Sequence, residues 1–456
     1  MSSFVTFNFL LFDFSIKEVL FVALLFVFSF DKGIRGWDLV AVAQGREFWM
    51  HGFSLYYGVS LRSIIILLLF LISSPELFFY FRKSFNQNIM LVLFALLGFI
   101  VLAFVSTVFS SDYFLSFFGF LRILQAVFLF FITIIILQNR TFVKYFFLSI
   151  ILVLFLNGYV GFLQHQNGGP IGWYLEDGAG YEQQGYLTSD GSESLYRASG
   201  LIGHPTFFAS FVSMLLPFAI VFSIFSLQEK QRGTTVVSSI CVLLGLLALY
   251  GSFVRSGWFS SLLFFIVFFL NLYFNERIFL KEFISKYLLF FIAGISSFLV
   301  LFGKRFWLRI VSTTEFLSDG SGVVRIALIE QALIMIKEFP LFGVGLNLST
   351  RMMNEQSLLP PELRGFMFPV HNTFFLFFSE LGIPSTVFFI LFLLGILQLS
   401  FKYVKKNVFF GIWLGVVGFI LNSQVHTLFN QDPSFDLLFL YLGVLTLLCM
   451  KKGKLL

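Results

Sequence analysis

The chain has 456 residues, 58% of them hydrophobic and only 12% charged. Soluble domains carry about a quarter charged residues, so this composition excludes a soluble globular protein and describes an integral membrane protein. The formal charge of +6 sits at predicted helix ends rather than in an aromatic-interleaved patch, which excludes nucleic-acid binding.

A helix needs about 20 apolar residues to cross the hydrocarbon core. In chain order, such segments lie near 16–31, 61–81, 88–109, 116–138, 142–164, 201–226, 234–253, 257–274, 284–303, 372–401, 407–426 and 433–450. The expected fold is therefore an all-α integral membrane protein of about twelve transmembrane helices, in a single polytopic domain over 1–456. The first segment lacks a small-residue cleavage site and reads as a retained span. The tenth is overlong, and Gly382 with Pro384 divides it into a short helix and a proper span. Cys241 and Cys449 lie in apolar runs, with no CxxC and no metal spacing.

Lysine and arginine give the orientation. Alternate connections carry Arg82 and Lys83, Arg140 and Lys144, Lys230 and Arg232, Arg277, Lys281 and Lys286, then Lys402, Lys405 and Lys406. These should face the cytoplasm, together with both termini. Only the connection 32–60, with Lys32, Arg35 and Arg46, breaks the rule. Two external connections are longer than topology requires, 165–200 and 304–370. The second holds an amphipathic helix over "SDGSGVVRIALIEQALIMIKEFP", expected to lie along the membrane surface, capped by Asp319 or Ser321 and stopped by Pro340.

On this topology Arg197, His204, Arg255, Arg325 and His371 fall at external helix mouths, and Arg122 a turn or two into the fourth span. An arginine at a helix end often only snorkels to lipid phosphate. Arg255 differs, because it sits in a turn of two or three residues where no lipid anchor is needed. A histidine before Pro205 would ordinarily bond a loop carbonyl, and His51, His165 and His426 read as structural. "FGVGLN" from Phe342 lacks the residues of a phosphate loop and reads as a turn. No histidines and carboxylates have zinc-ligand spacing, so neither metal nor cofactor is expected.

Arginines at the outer surface can grip a diphosphate through charge-assisted hydrogen bonds. A neutral histidine beside them can accept a proton from an acceptor hydroxyl. Together they describe transfer away from a diphosphate leaving group, with no metal needed if the guanidiniums supply the charge.

The segment "HNTFFLFFSELGIPS" resembles the signature of the O-antigen ligase and polymerase superfamily, with His371, Asn372, Gly382 and Ser385 at its positions. "RASGLIGHP", "SFVRSGW" and "RIALIEQALIMIKEFPLFGVGLN" are similar to three further motifs of that family, in the same order. The resemblance covers the C-terminal two-thirds of the chain. It implies a membrane glycosyltransferase of GT-C-like fold in the bacterial cytoplasmic (inner) membrane. Such an enzyme transfers a glycan from a polyprenyl-pyrophosphate-linked donor to an acceptor hydroxyl on the external face. It further implies that Arg255 and Arg325 contact the diphosphate and that His371 is the base. Arg197, His204 and Arg122 would support the site, Asn372 would orient His371 or cap its helix, and Gly382 with Pro384 would set a bend. Ser385 departs from the ligase subgroup and favours a polymerase or generic transferase. Lipid core, growing polysaccharide and protein side chain all stay open as acceptors. The alternative from another class is a flippase or exporter of lipid-linked glycan, which would need no catalytic histidine.

Overall fold

The computed structural model describes residues 15–28, 61–81, 87–173, 185–187, 194–311, 320–355, 369–429 and 433–455. The connection 32–60, His51, Arg82, Lys83 and Asp319 lie outside them. The helices are α1 (Ile16–Val27), α2 (Leu61–Phe81), α3 (Gln87–Phe109), α4 (Tyr113–Ile136), α5 (Arg140–Asn167), α6 (Pro205–Gln228) and α7 (Arg232–Gly251). They continue as α8 (Arg255–Asn275), α9 (Arg277–Val311), α10 (Gly320–Glu338), α11 (Ser349–Glu355), α12 (Thr373–Val404), α13 (Phe409–Ser423) and α14 (Pro433–Met450). A short antiparallel pair, β1 (Gly185–Leu187) and β2 (Ser194–Tyr196), joins Gly185 to Tyr196 within the 165–200 connection. A helix coincides with each of the twelve apolar segments, and eight (α3–α8, α12 and α14) are long and apolar enough to cross a membrane.

The bundle is built around α14, with 94% of its residues buried. It packs against α4, α12, α13 and α6, while α6 in turn packs on α13, α7, α8 and α5. Glycines on one face of α13 let α6 approach its backbone. A Cβ on Gly411 would stand 2.4 Å from the Phe218 Cα, and one on Gly415 2.6 Å from the Met214 carbonyl oxygen. Without a hydrophobic drive between helices in lipid, such close backbone contact is a principal source of association. The sequence carries this stripe as "GIWLGVVG", which its Phe-rich surroundings conceal.

The connections meet at two ends. At one, Asn139 donates to Glu18 at 2.7 Å, Arg140 to the Lys454 carbonyl at 3.0 Å and Asn271 to the Lys405 carbonyl at 2.9 Å; Lys17 and Glu76 form an ion pair there. At the other end lie the turns around 110–112, 252–254, 339–348, 369–372 and 424–429.

Two elements differ from expectation. Helix α9 has 35 residues, about 50 Å of helix, and outruns the ~30 Å hydrocarbon core at both ends of its predicted span. Helix α10 starts at Gly320, so Ser321 lies inside its first turn, and it stops ahead of Pro340. Its Ala327, Leu328, Ala332 and Met335 pack on Val344, Leu348, Met353, Val370 and Leu376. Its opposite face exposes Val323, Ile326 and Leu333, so it is not amphipathic in the ordinary sense. A face of that kind suits lipid better than water.

Candidate active site

Helix α12 is broken at Gly382, whose φ of 79° and ψ of 170° lie outside the helix. Pro384 has no N–H for the Glu380 carbonyl, and the "PLFGVGLN" loop supplies substitutes. Gly345 N–H donates to Glu380 O at 2.9 Å, Val344 N–H to Ser379 O at 2.9 Å, and Ile383 N–H to Pro340 O at 2.8 Å. The loop lies so close that a Cβ on Gly343 (φ +66°) would stand 2.3 Å from the Glu380 carbonyl carbon. The turn expected at this loop is thus a splice into the broken helix. It anchors α10, and with it Arg325, beside the mouth of α12.

At that mouth Asn372 caps α12, its Oδ1 accepting from Phe374 N–H at 2.9 Å and Phe375 N–H at 3.1 Å. Its Nδ2 donates to the Gln424 carbonyl at 3.0 Å. Thr373 Oγ1 donates to the His426 carbonyl at 2.9 Å and accepts from Leu428 N–H at 2.9 Å, and Thr427 Oγ1 donates to the Val370 carbonyl at 2.6 Å. The segment 424–428 is therefore laced to 370–373, which sets His426 beside His371.

"RASGLIGHP" and "GSFVRSGW" are joined in the same way. Ala198 N–H donates to the Gly251 carbonyl at 2.9 Å and Arg197 Nε to the Ser252 carbonyl at 3.1 Å. Gln164, at the end of α5, accepts Ser199 N–H at 2.9 Å and Gly200 N–H at 2.8 Å. His204 caps α6, its Nδ1 accepting from Thr206 N–H at 3.2 Å. Arg255 opens α8, and the hydroxyl of its neighbour Ser256 lies 2.7 Å from His426 Nε2.

Electrostatics ties these mouths into one cluster. Burial first, then the Arg325 charge, push His371 down to about 4, against a smaller upward pull from the Pro369 carbonyl. Burial, then Arg197 and His371, lower His204 to about 3. Burial, then Arg325, His371, His204 and Arg197, hold His426 well below the ordinary histidine range. A cationic imidazole beside guanidiniums is disfavoured, so all three rings are neutral at pH 7. Among the described residues, no group of three or more His, Cys, Asp or Glu is arranged to hold a metal ion.

Arg122 belongs elsewhere. Its guanidinium pairs with the fully buried Asp436 at 2.8 Å, and Arg62 reaches the same oxygen at 3.2 Å and Gln125 at 3.0 Å. Its Nε donates to the Phe429 carbonyl at 3.4 Å, so it touches the 424–429 segment from behind. Hydropathy passed over this network because one aspartate in "PSFDLLFL" barely lowers the apolar average. His426, read from the sequence as structural, stands beside this cluster, where it meets Ser256 and the charges of Arg325 and Arg197. His165 packs edge-on against Tyr250 at 5.4 Å.

Residues 240–390 match the family model described as O-antigen ligase. No curated protein matches the chain.

Proposed function

From the premise that residues 240–390 place the chain in the O-antigen ligase and polymerase superfamily, a glycosyltransferase-like membrane enzyme at family level, we propose that it transfers a glycan from a polyprenyl pyrophosphate to an acceptor hydroxyl. His371 takes the acceptor proton as the acceptor oxygen attacks the anomeric carbon. The bond from that carbon to the diphosphate oxygen breaks, and Arg255 and Arg325 hold the departing polyprenyl diphosphate. Guanidiniums supply the positive charge, so no metal enters the reaction. Arg197 and His204 support the same site, and Asn372 holds His371 through the cap of α12.

The observation that carries this reading is the lacing of 370–373 to 426–427, with the hydroxyl of Ser256, next to Arg255 in the chain, 2.7 Å from His426 Nε2. This gathers the mouths where burial and the Arg325 charge hold His371 neutral. A neutral imidazole can accept a proton, and an anionic donor would raise its basicity on binding. The reading extends to a GT-C-like fold in the bacterial cytoplasmic membrane, with the site on the external face and both termini inside. The acceptor is a growing polysaccharide or another hydroxyl acceptor rather than strictly a lipid core. The deciding test is transfer from glycan-loaded polyprenyl pyrophosphate in reconstituted vesicles. His371→Ala should fold, bind the donor and lose transfer by orders of magnitude. Unchanged transfer removes the base, and wild type that moves the donor between leaflets without transferring sugar is a flippase.

A further inference from the structure

His426 lies beyond the matched stretch, which ends at residue 390, yet it bridges the two best-defined mouths of the site. Its carbonyl accepts the Thr373 hydroxyl at 2.9 Å, two residues past His371. Its ring nitrogen Nε2 stands 2.7 Å from Ser256 Oγ, one residue past Arg255. The imidazole also feels Arg325, His371, His204 and Arg197. Ser256 Oγ is thus a hydroxyl held directly against the ring of a histidine in this cluster.

We propose that Ser256 is a donor-binding residue, its O–H donating to a diphosphate oxygen, and that His426 is the positioning residue that aims it by donating Nε2–H to Oγ. The inference rests on the diphosphate donor of the preceding section. A hydroxyl has one proton and two lone pairs, so its direction is set by whichever partner supplies a proton. Were Ser256 to donate to Nε2, its lone pairs would face the incoming anion and repel it. With Nε2–H as donor, the serine proton is released toward the ligand, and residues 255 and 256 present consecutive donors. The Thr373 bond to the His426 backbone carbonyl then makes the same residue set the spacing between that donor pair and His371.

The test is binding of farnesyl pyrophosphate to the purified full-length protein, with thermal melting measured beside it. Ser256→Ala and His426→Ala should each weaken binding about tenfold or more, as expected for a hydrogen bond to a charged group. The double variant should be little worse than either single one, because both remove the same bond. His426→Gln, whose amide nitrogen can occupy the Nε2 position, should restore binding, which a mere packing role would not predict. Single variants that melt and bind as wild type does, or losses that add in the double variant, overturn the proposal. If His426→Ala melts low, the Ser256→Ala and His426→Gln results decide alone. Wild type that does not bind farnesyl pyrophosphate at all instead sinks the diphosphate reading on which this inference stands.

Discussion

The carbonyl of Glu380, denied a helical partner by Pro384, accepts Gly345 N–H at 2.9 Å and the Ser106 hydroxyl at 2.9 Å. A loop more than thirty residues upstream thereby completes the hydrogen bonding of a broken helix. The glycines of that loop are there for space as much as for conformation. Gly343→Ala should place a methyl into the Glu380 backbone and force the loop off α12. We expect activity to be lost and melting in detergent to fall, while Gly169→Ala, with open space around it, changes neither. Equal melting and activity for Gly343→Ala and wild type would refute the splice.

The Glu380 side chain makes a second tie, accepting the Ser349 hydroxyl at 2.7 Å and capping α11. Glu380→Gln keeps an accepting oxygen at that place and should be nearly silent. Glu380→Ala leaves buried donors unpaired, at about 1–3 kcal/mol each. The melting difference between the two variants measures the cap.

Two guanidiniums share the Asp436 carboxylate, which makes the network asymmetric. Asp436→Asn strands two buried cations and should cost at least the ~3–5 kcal/mol of a broken buried pair. Arg122→Gln leaves Arg62 with its counter-charge and should cost less. If Arg122→Gln proves the more damaging in a thermal-shift comparison, the Asp436-centred account fails.

The pH dependence has a fixed sign. His371 and His204 are held neutral, near 4 and 3, below the ordinary 6.5, so the unfolded chain binds protons that the folded chain refuses. Stability is full above about pH 6.5 and falls as pH drops toward 4. The acid limb of kcat/KM, which reports the free enzyme, should lie near pH 4 rather than 6.5. The limb of kcat should lie higher, since a bound diphosphate favours the imidazolium. Coincident limbs at 6.5 would exclude a buried His371 as the base.

Much was legible in the sequence because lipid imposes a coarse constraint. Twenty apolar residues in a row have few alternatives to a helix, and a helix stands at each such segment. The bend at Gly382 and the candidates Arg197, His204, Arg255, Arg325 and His371 followed from local chemistry. Arg122 was legible as a polar residue but not as a pair, since Asp436 lies more than three hundred positions away.

By itself the sequence determined where helices form and which connections carry basic and imidazole groups, because backbone satisfaction in lipid is a local matter. Only the tertiary structure decided which mouths meet. That His426 bonds Ser256, that Asp436 holds two arginines and that Gly345 mends the break before Pro384 depend on contacts between distant segments. Hydropathy carries no record of such contacts, because a buried polar atom is stabilised by the partner that reaches it and not by its neighbours in the chain.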